Sequence, residues 1–250
     1  MEPTRPIRGS RSTRFNAVLF DFGGTLDADG VPAVEQFFRA YRDAGGRTRG
    51  ENFEVLFRES DRLLAGDPAI RTRGFRDTVH EQSRLLTALA GDAHLDPDAI
   101  AGLVHGAARV AAERNAVLLR ALRDRGLRLG VISNFTGNLD RCVTELGLAP
   151  LVDVIIDSAI AGVRKPDAAI FRLALEHLGV DARRALMVGD NPFADIRAAA
   201  SLGMSTCWLA PPDRFVPDEC VPTYRIERLA DLVHLIDASS AGALAAPCTG

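Results

Sequence analysis

The chain has 250 residues, of which 47% are hydrophobic and 25% charged, and this composition excludes disordered, collagen-like and coiled-coil proteins. The 30 basic and 33 acidic side chains give a formal net charge of −3, so no basic excess favours nucleic acid as a partner. No apolar run approaches the ~18 residues that cross a bilayer, and we therefore expect no membrane partner.

The first residues and the cysteines bear on the compartment in which the protein works. Residues 1–13 carry arginine and small polar side chains and are predicted to form a flexible arm. The apolar stretch that follows them, residues 15–20, is too short for a secretory signal. The four cysteines form no CxxC pair, which favours reduced thiols in the cytoplasm over a zinc or thioredoxin-like site.

Short apolar runs bounded by turn residues predict β-strands that are buried on both faces. They cover residues 15–20, 127–132, 152–156, 185–188 and 205–209. Helical periodicity lies between them, over residues 116–125, 139–146, 167–178 and 193–202. This alternation predicts an α/β fold with a doubly wound parallel sheet, formed by residues 14–27 and 113–238. The alanine-rich residues 239–250 are predicted to be a frayed tail.

Residues 28–112 interrupt the alternation directly after the first strand. They contain helical patterns and no convincing strand. The patterns cover residues 33–44, 52–64, 74–90 and 97–114. We therefore predict that this segment is a helical cap domain inserted into the core.

Polar side chains follow the predicted strands at the points where ligands bind in open parallel sheets. Asp21, Ser133 and Asp190 lie one or two residues past a strand end, and Lys165 lies in the loop after the third strand. Lys165 is the only lysine beside 29 arginines, and a compact ammonium fits a tight pocket that a guanidinium does not. Two carboxylates with a hydroxyl and an ammonium indicate a divalent metal that faces a phosphate.

These residues belong to segments that resemble the motifs of the haloacid dehalogenase-like hydrolase superfamily, in the same order and spacing. The segments are Asp21-Phe-Gly-Gly-Thr-Leu, Val131-Ile-Ser-Asn134, Arg164-Lys-Pro-Asp167 and Gly189-Asp-Asn-Pro-Phe-Ala-Asp195. The helical insertion lies where the first cap class of that family has its cap. The resemblance covers about residues 14–238 and implies a Rossmann-like core with an α-helical cap.

The resemblance implies that Asp21 is the nucleophile and forms an aspartyl-phosphate intermediate. Mg²⁺ would be held by Asp21, the carbonyl oxygen of Gly23 and Asp190. The expected activity is the magnesium-dependent hydrolysis of a small phosphorylated metabolite by a cytoplasmic monomer or homodimer. Family membership alone fixes neither the substrate nor the reaction.

The remaining motif residues would bind the phosphoryl group or support those that do. Ser133 and the amide of Asn134 would bind phosphoryl oxygens. Thr25 would support the loop that carries the nucleophile, on the side where the substrate binds. Lys165 would neutralise charge between Asp21 and the phosphate. Asp195 would lie behind the metal ligands or orient Lys165.

Gly23 departs from the pattern of the family's phosphatases, which have a second aspartate, the general acid/base, two residues after the nucleophile. Its backbone carbonyl can still bind a metal, but the proton donor is missing, and such a donor contributes about 10²–10⁴-fold to the rate. Three explanations are open. Asp27 or Asp29 supplies the proton, the substrate has a good leaving group such as an aryl or acyl phosphate, or the protein binds phosphoryl groups with little turnover.

Dehalogenation is a further alternative, because family members that break carbon–halogen bonds also lack the second aspartate. A halide leaves without protonation, and no phosphate needs to be neutralised by a metal. Asp190 with Asp195 resembles instead the metal-binding form of the fourth motif, which favours the phosphatase interpretation.

Overall fold

The computed structural model describes residues 14–240, so the predicted arm 1–13, Cys248 and the tail beyond Ser240 lie outside the described residues. Within that range, all strands run parallel in one sheet of six, in the order β3-β2-β1-β4-β5-β6. The strands are β1 (Ala17–Phe20), β2 (Arg128–Ser133), β3 (Val154–Asp157), β4 (Ala185–Gly189), β5 (Ser205–Leu209) and β6 (Tyr224–Ile226). The predicted α/β class with a doubly wound parallel sheet is confirmed.

Strand β1 lies in the middle of the sheet and is buried on both faces, which explains its continuous apolar sequence. Val18 and Phe20 belong to the core cluster on one face of the sheet, and Ala17 and Leu19 belong to the cluster on the other face. Phe20 pairs in register with both flanking strands. The carboxyl ends of β1, β2 and β4 therefore meet at one edge of the sheet.

Strand β6 was not predicted from the sequence. It has three residues, Tyr224 and Arg225 are only half-buried, and it pairs with β5 alone at the edge of the sheet. A strand this short with a charged central residue has no apolar run to mark it.

The helices flank the sheet or form the insertion after β1. They are α1 (Ala33–Asp43), α2 (Gly50–Gly66), α3 (Phe75–Ala90), α4 (Pro97–Arg123), α5 (Leu139–Glu145), α6 (Ser158–Ala161), α7 (Ala168–Leu178), α8 (Ala198–Ser201) and α9 (Leu232–Ser240). Gly91, Gly162 and Gly179 end α3, α6 and α7 in the left-handed conformation, the common glycine stop.

Helix α4 corrects one prediction, since the patterns at 97–114 and 116–125 belong to one continuous helix of 27 residues. Asn115, which separates the two patterns, does not break the helix. Its buried side chain donates a hydrogen bond from Nδ2 to the carbonyl oxygen of Leu26, at 2.8 Å. The expected cap boundary at residue 112 lies inside this helix, and the division into cap and core stays a prediction.

Two further predicted helix ends differ from the structure. Residues 193–202 were predicted as one helix, and the structure has a continuous helical segment from Pro192 to Ser201, in which the π-helical turn Pro192–Arg197 passes directly into α8. The predicted tail begins at residue 239, but Ser239 and Ser240 still belong to α9. Their hydroxyl groups donate hydrogen bonds to the carbonyl oxygen of Ile236 in the preceding turn.

The cysteines and the helices of the described residues can be compared with the expectations about disulfides and membrane spans. Cys142, Cys207 and Cys220 are buried free thiols. Between residues 14 and 240, none of the helices combines enough length and apolar character to cross a bilayer.

Candidate active site

The loop after β1 presents Asp21 at the carboxyl edge of the sheet. Asp21 is followed by a kinked π-helical turn, Phe22–Leu26, in which Gly23 and Gly24 have non-helical dihedral angles. Gly24 in this turn has φ +89°, and a Cβ added there would lie 2.6 Å from Oδ2 of Asp190. Only glycine permits both this conformation and this approach. The loop backbone therefore packs directly against the second carboxylate of the site.

Lys165 lies between two carboxylates. Its Nζ donates hydrogen bonds to Oδ1 of Asp21 at 2.5 Å and to Oδ1 of Asp195 at 2.6 Å, and its residue is only 4% exposed. Burial lowers the pKa of the Lys165 ammonium, but the charges of Asp195 and Asp21 outweigh it and leave the pKa above its usual value. Lys165 thus faces Asp21 rather than solvent, as expected from its being the only lysine.

Ser133 and Asn134 end β2 on the same edge but make different contacts. Ser133 Oγ donates a hydrogen bond to Oδ1 of Asp21 at 3.4 Å. The side chain of Asn134 binds the backbone of Lys165, donating from Nδ2 to the carbonyl oxygen at 2.9 Å and accepting at Oδ1 from the N–H at 2.8 Å. Asn134 therefore holds the lysine loop in place, and its side-chain amide is not free to bind a substrate.

The carboxylates of Asp21, Asp190 and Asp195 form a compact buried group, with one oxygen of each within 4.8 Å of the others. Burial raises the pKa of Asp190 well above its usual range, and the charge of Asp21 adds to this. Burial also raises the pKa of Asp195 to about 6, although Lys165 opposes the shift. One ammonium faces three carboxylates, so the group carries two excess negative charges when all three are ionised. Oxygen ligands with this charge fit a divalent cation.

Asp195 uses both of its oxygens within the protein. Oδ1 accepts from Lys165, and Oδ2 accepts from the backbone N–H of Asn191 at 3.1 Å. The side chain of Asn191 in turn caps the next helical turn by accepting from the N–H groups of Phe193 and Ala194. Asp195 is therefore fixed in an orientation that serves Lys165.

Thr25 and Gly23 complete the predicted set. Thr25 is fully buried, its Oγ1 lies 3.5 Å from Oδ1 of Asp190, and it does not line the cavity. Its position favours support of the Asp190 carboxylate over contact with a substrate. Gly23 lines the cavity with φ −72°, and a Cβ added there would meet no atom within 4 Å. Neither the conformation nor the space requires glycine at this position.

A cavity of about 730 Å³ extends from these residues to helices α1, α2 and α3. Asp27 also lines it, and burial raises the pKa of this carboxyl to about 7 despite a hydrogen bond from the Gly24 N–H. Away from Asp21 the wall is mostly apolar. Its main apolar side chains are Val34, Phe37, Phe57, Phe75, Val79 and Val104.

Comparison with known proteins identifies the family. The model of the haloacid dehalogenase-like hydrolases matches residues 15–203 of this chain. The chain belongs to this hydrolase family. All four motif segments lie within the matched residues, and the carboxylates, the lysine and the serine described above come from them.

Curated relatives of this hydrolase include proteins named as phosphatases. A phosphoglycolate phosphatase of Rhodospirillum rubrum is 42% identical over 203 residues, which cover 75% of this chain and 76% of that protein. The pyrimidine 5'-nucleotidase YjjG of Escherichia coli is 36% identical over 121 residues, 48% of this chain and 53% of that protein. The match thus covers about half the length of some curated relatives.

Solved structures of similar fold include a dehalogenase. The 2-haloacid dehalogenase from Pseudomonas syringae pv. Tomato DC3000 is 28% identical, with a TM-score of 0.52, and the match covers 89% of this chain and 98% of that one. Proteins similar to this chain thus include both phosphatases and a dehalogenase, the two activities that the sequence left open.

Two residues that hold the hydrolase site together are not among the predicted site residues. Asp157 at the end of β3 accepts at Oδ2 from the N–H groups of Gly137 and Leu139, which fixes the loop after β2. Trp208 on β5 donates from Nε1 to the carbonyl oxygen of Asp190 at 2.9 Å. The sequence did contain signals for both residues. An aspartate ends a predicted strand, and the only tryptophan lies in another.

Proposed function

We propose that this chain is a magnesium-dependent phosphatase that hydrolyses small phosphate monoesters through an aspartyl-phosphate on Asp21. The observation that carries the proposal is that Asp21 lines the cavity, bonds to a buried lysine and lies within 4.8 Å of a second buried carboxylate, that of Asp190. The names of the relatives, a phosphoglycolate phosphatase and a pyrimidine 5'-nucleotidase, support it.

The contacts of Asp21 suit a nucleophile. Lys165 and Ser133 both donate to Oδ1, while Oδ2 has no hydrogen-bond partner among residues 14–240 and is not sealed off. In the first step Oδ2 attacks phosphorus, the new P–O bond forms and the bond to the leaving oxygen breaks. In the second step water attacks phosphorus and Asp21 is released as a carboxylate.

The other residues position and neutralise the phosphoryl group. Lys165 would hold its charge beside Asp21, and Ser133 would donate to a phosphoryl oxygen once substrate competes with Asp21 for the hydroxyl. Asn134 would contribute by fixing the Lys165 backbone. Asp21, Asp190 and the carbonyl of Gly23 would hold Mg²⁺. When bound, this ion offsets the two excess negative charges and the charge of the phosphoryl group.

The leaving group would lie in the apolar part of the cavity, between helices α1, α2 and α3. A cavity of about 730 Å³ offers room for a leaving group well beyond a two-carbon acid. We also propose a cytoplasmic location, which is supported by the three buried free thiols among the described residues.

Dehalogenation is the second candidate, since Gly23 carries no acid and a 2-haloacid dehalogenase shares the fold at 28% identity. The buried carboxylate of Asp190 beside Asp21 argues against it. A halide leaving group gives no reason to bury a second anion next to the nucleophile without a cation.

The test is an assay of phosphate monoesters and of 2-chloropropionate, each with magnesium and with a chelator. We expect phosphate release that needs magnesium and no chloride release. Phosphate release that persists in the chelator would remove the metal from the proposal. Chloride release without phosphate release would establish the dehalogenase instead, and neither product would favour a phosphoryl-binding protein.

A further inference from the structure

The proposed phosphatase reaction leaves a proton unassigned. A departing alkoxide needs one, and Gly23 has no side chain that can supply it. Of the carboxyl groups that line the cavity, Asp21, Asp190 and Asp195 are taken by the phosphoryl and metal chemistry. Glu54 and Asp61 lie on helix α2, on the cap side. Asp27 is the carboxyl group on the loop after β1 that lines the cavity and has no role assigned above.

Asp27 lies in the corner of the cavity that a side chain at position 23 would reach. Its Oδ1 accepts a hydrogen bond from the N–H of Gly24 at 2.7 Å, and no atom lies within 4 Å of a Cβ built on Gly23. A Cβ is at most ~3.7 Å from the next backbone nitrogen, so Oδ1 of Asp27 lies within ~6.5 Å of that position. The carboxyl group of an aspartate at position 23 would cover part of this distance.

The rest of the Asp27 side chain is arranged for contact with the cavity. Asp27 is only 6% exposed and belongs to the cavity wall together with Asp21 and Gly23. Its Oδ1 is fixed by the loop, whereas no other residue between 14 and 240 donates a hydrogen bond to Oδ2, which is not sealed off. One oxygen therefore anchors the carboxyl group and the other is open to a leaving group.

Asp29, the alternative from the sequence, is excluded by its contacts. Its Oδ1 accepts from the N–H of Leu229 at 2.7 Å, and its Oδ2 pairs with Arg114 at 3.0 Å. It does not line the cavity. Both oxygens thus join the loop to other parts of the chain, away from Asp21.

We propose that Asp27 is the general acid and base of the proposed phosphatase, in place of the side chain that Gly23 lacks. As the bond between phosphorus and the leaving oxygen breaks, the proton of the Asp27 carboxyl moves to that oxygen. When water attacks the aspartyl-phosphate, its proton moves to Asp27, the bond from phosphorus to Asp21 breaks, and inorganic phosphate leaves. Asp27 ends the cycle protonated, as it began. This inference rests on the proposed phosphatase function.

The dependence of rate on the leaving group tests this assignment. We would measure kcat/KM under saturating magnesium for p-nitrophenyl phosphate, phenyl phosphate and alkyl phosphates, whose leaving groups differ in pKa. In the wild type we expect a shallow dependence. In Asp27→Asn we expect about a 10²-fold or larger loss on alkyl phosphates, whereas p-nitrophenyl phosphate, which departs without a proton, changes by a few fold.

A second variant and a control separate catalysis from loop structure. Gly23→Asp in the Asp27→Asn background should restore activity on alkyl phosphates, because φ and space at Gly23 accept a side chain. Asp29→Asn should leave the dependence unchanged. An equal loss on all substrates in Asp27→Asn, with no rescue, would overturn the inference and make Asp27 a loop anchor. A wild type that hydrolyses none of the esters would overturn the proposed function itself.

Discussion

The two ends of the cavity differ in the side chains that line them, which are charged at the sheet edge and mostly apolar at the cap end. At the sheet edge the charged groups lie together, and Lys165 bonds to both Asp21 and Asp195. At the cap end the wall is mostly apolar, and within residues 14–240 the buried amide nitrogen of Gln82 has no hydrogen-bond partner. The sheet edge is thus organised by its own hydrogen bonds, whereas the cap end contains a buried amide nitrogen whose hydrogen-bonding capacity is unused.

Physical chemistry explains the difference. Buried charges are stable only when they are paired, so the sheet edge is fixed by its own electrostatics. An apolar wall excludes water and selects for shape, but it holds no group in one orientation. Changes at the sheet edge should therefore affect every substrate, and changes at the cap end should affect only some.

The largest effect is expected from Asp21→Asn, which keeps the shape but removes the anionic nucleophile. Phosphate release should fall by about 10⁴-fold or more for every ester. The unfolding temperature checks that the fold is intact, and no stable phosphoprotein should form. If the variant kept substantial turnover, Asp21 would not be the nucleophile.

Lys165→Arg and Lys165→Met test the ion network at the same end. Arginine keeps the charge, but its planar fork does not fit between oxygens at 2.5 and 2.6 Å from one nitrogen. We expect kcat/KM to fall about 10²-fold for all esters. An arginine variant with wild-type kinetics would show that charge alone suffices.

Lys165→Met should in addition change the pH dependence of stability. It leaves three buried carboxylates without their cation, at a cost of about 3–5 kcal/mol at neutral pH. Because the folded-state pKa values of Asp190 and Asp195 are already raised, the folded state takes up protons more readily than the unfolded state. The variant should therefore regain stability as the pH falls from 8 to 5, measured by urea unfolding. If the stability difference between the variant and the wild type stayed the same from pH 8 to pH 5, this explanation would be wrong.

Gly23 and Gly24 are neighbours with opposite expected tolerance. Gly24→Ala places a Cβ 2.6 Å from Oδ2 of Asp190 at φ +89°, which should cost at least about 1–2 kcal/mol and reduce activity. Gly23→Ala meets no atom within 4 Å at φ −72° and should stabilise the protein by about 0.4–1 kcal/mol. Urea unfolding of both variants measures these two changes in stability. Equal effects would show that the loop adjusts freely.

The sheet edge was more predictable from sequence than the cap end. Asp21, Ser133 and Asp190 follow strand ends, and parallel topology alone brings such positions together. Lys165 was conspicuous as the only lysine. The structural role of the Asn134 side chain was not predictable, because it depends on how the Lys165 loop returns to β2. The roles of Asp27 and of the cap wall depend on packing between helices, which periodicity does not specify.

The smallest expected effect compares two glutamines in the cavity wall. Gln36 on α1 donates from Nε2 to the carbonyl oxygen of Val31 at 3.0 Å, whereas Nε2 of Gln82 on α3 has no partner in the described part of the chain. Gln82→Leu removes an unsatisfied buried donor and should not lower stability. It should reduce, by a few fold to about tenfold, the preference for an aryl phosphate with a hydroxyl or carboxamide group over the plain aryl phosphate.

Gln36→Leu is the matched control for this last effect. It breaks a hydrogen bond within the protein and should cost about 1 kcal/mol of stability without changing the preference between the two esters. The ratio of their kcat/KM values and the urea midpoint measure both effects. If both variants changed the ratio equally, the polar contact would not belong to Gln82, and the cap end would select by shape alone.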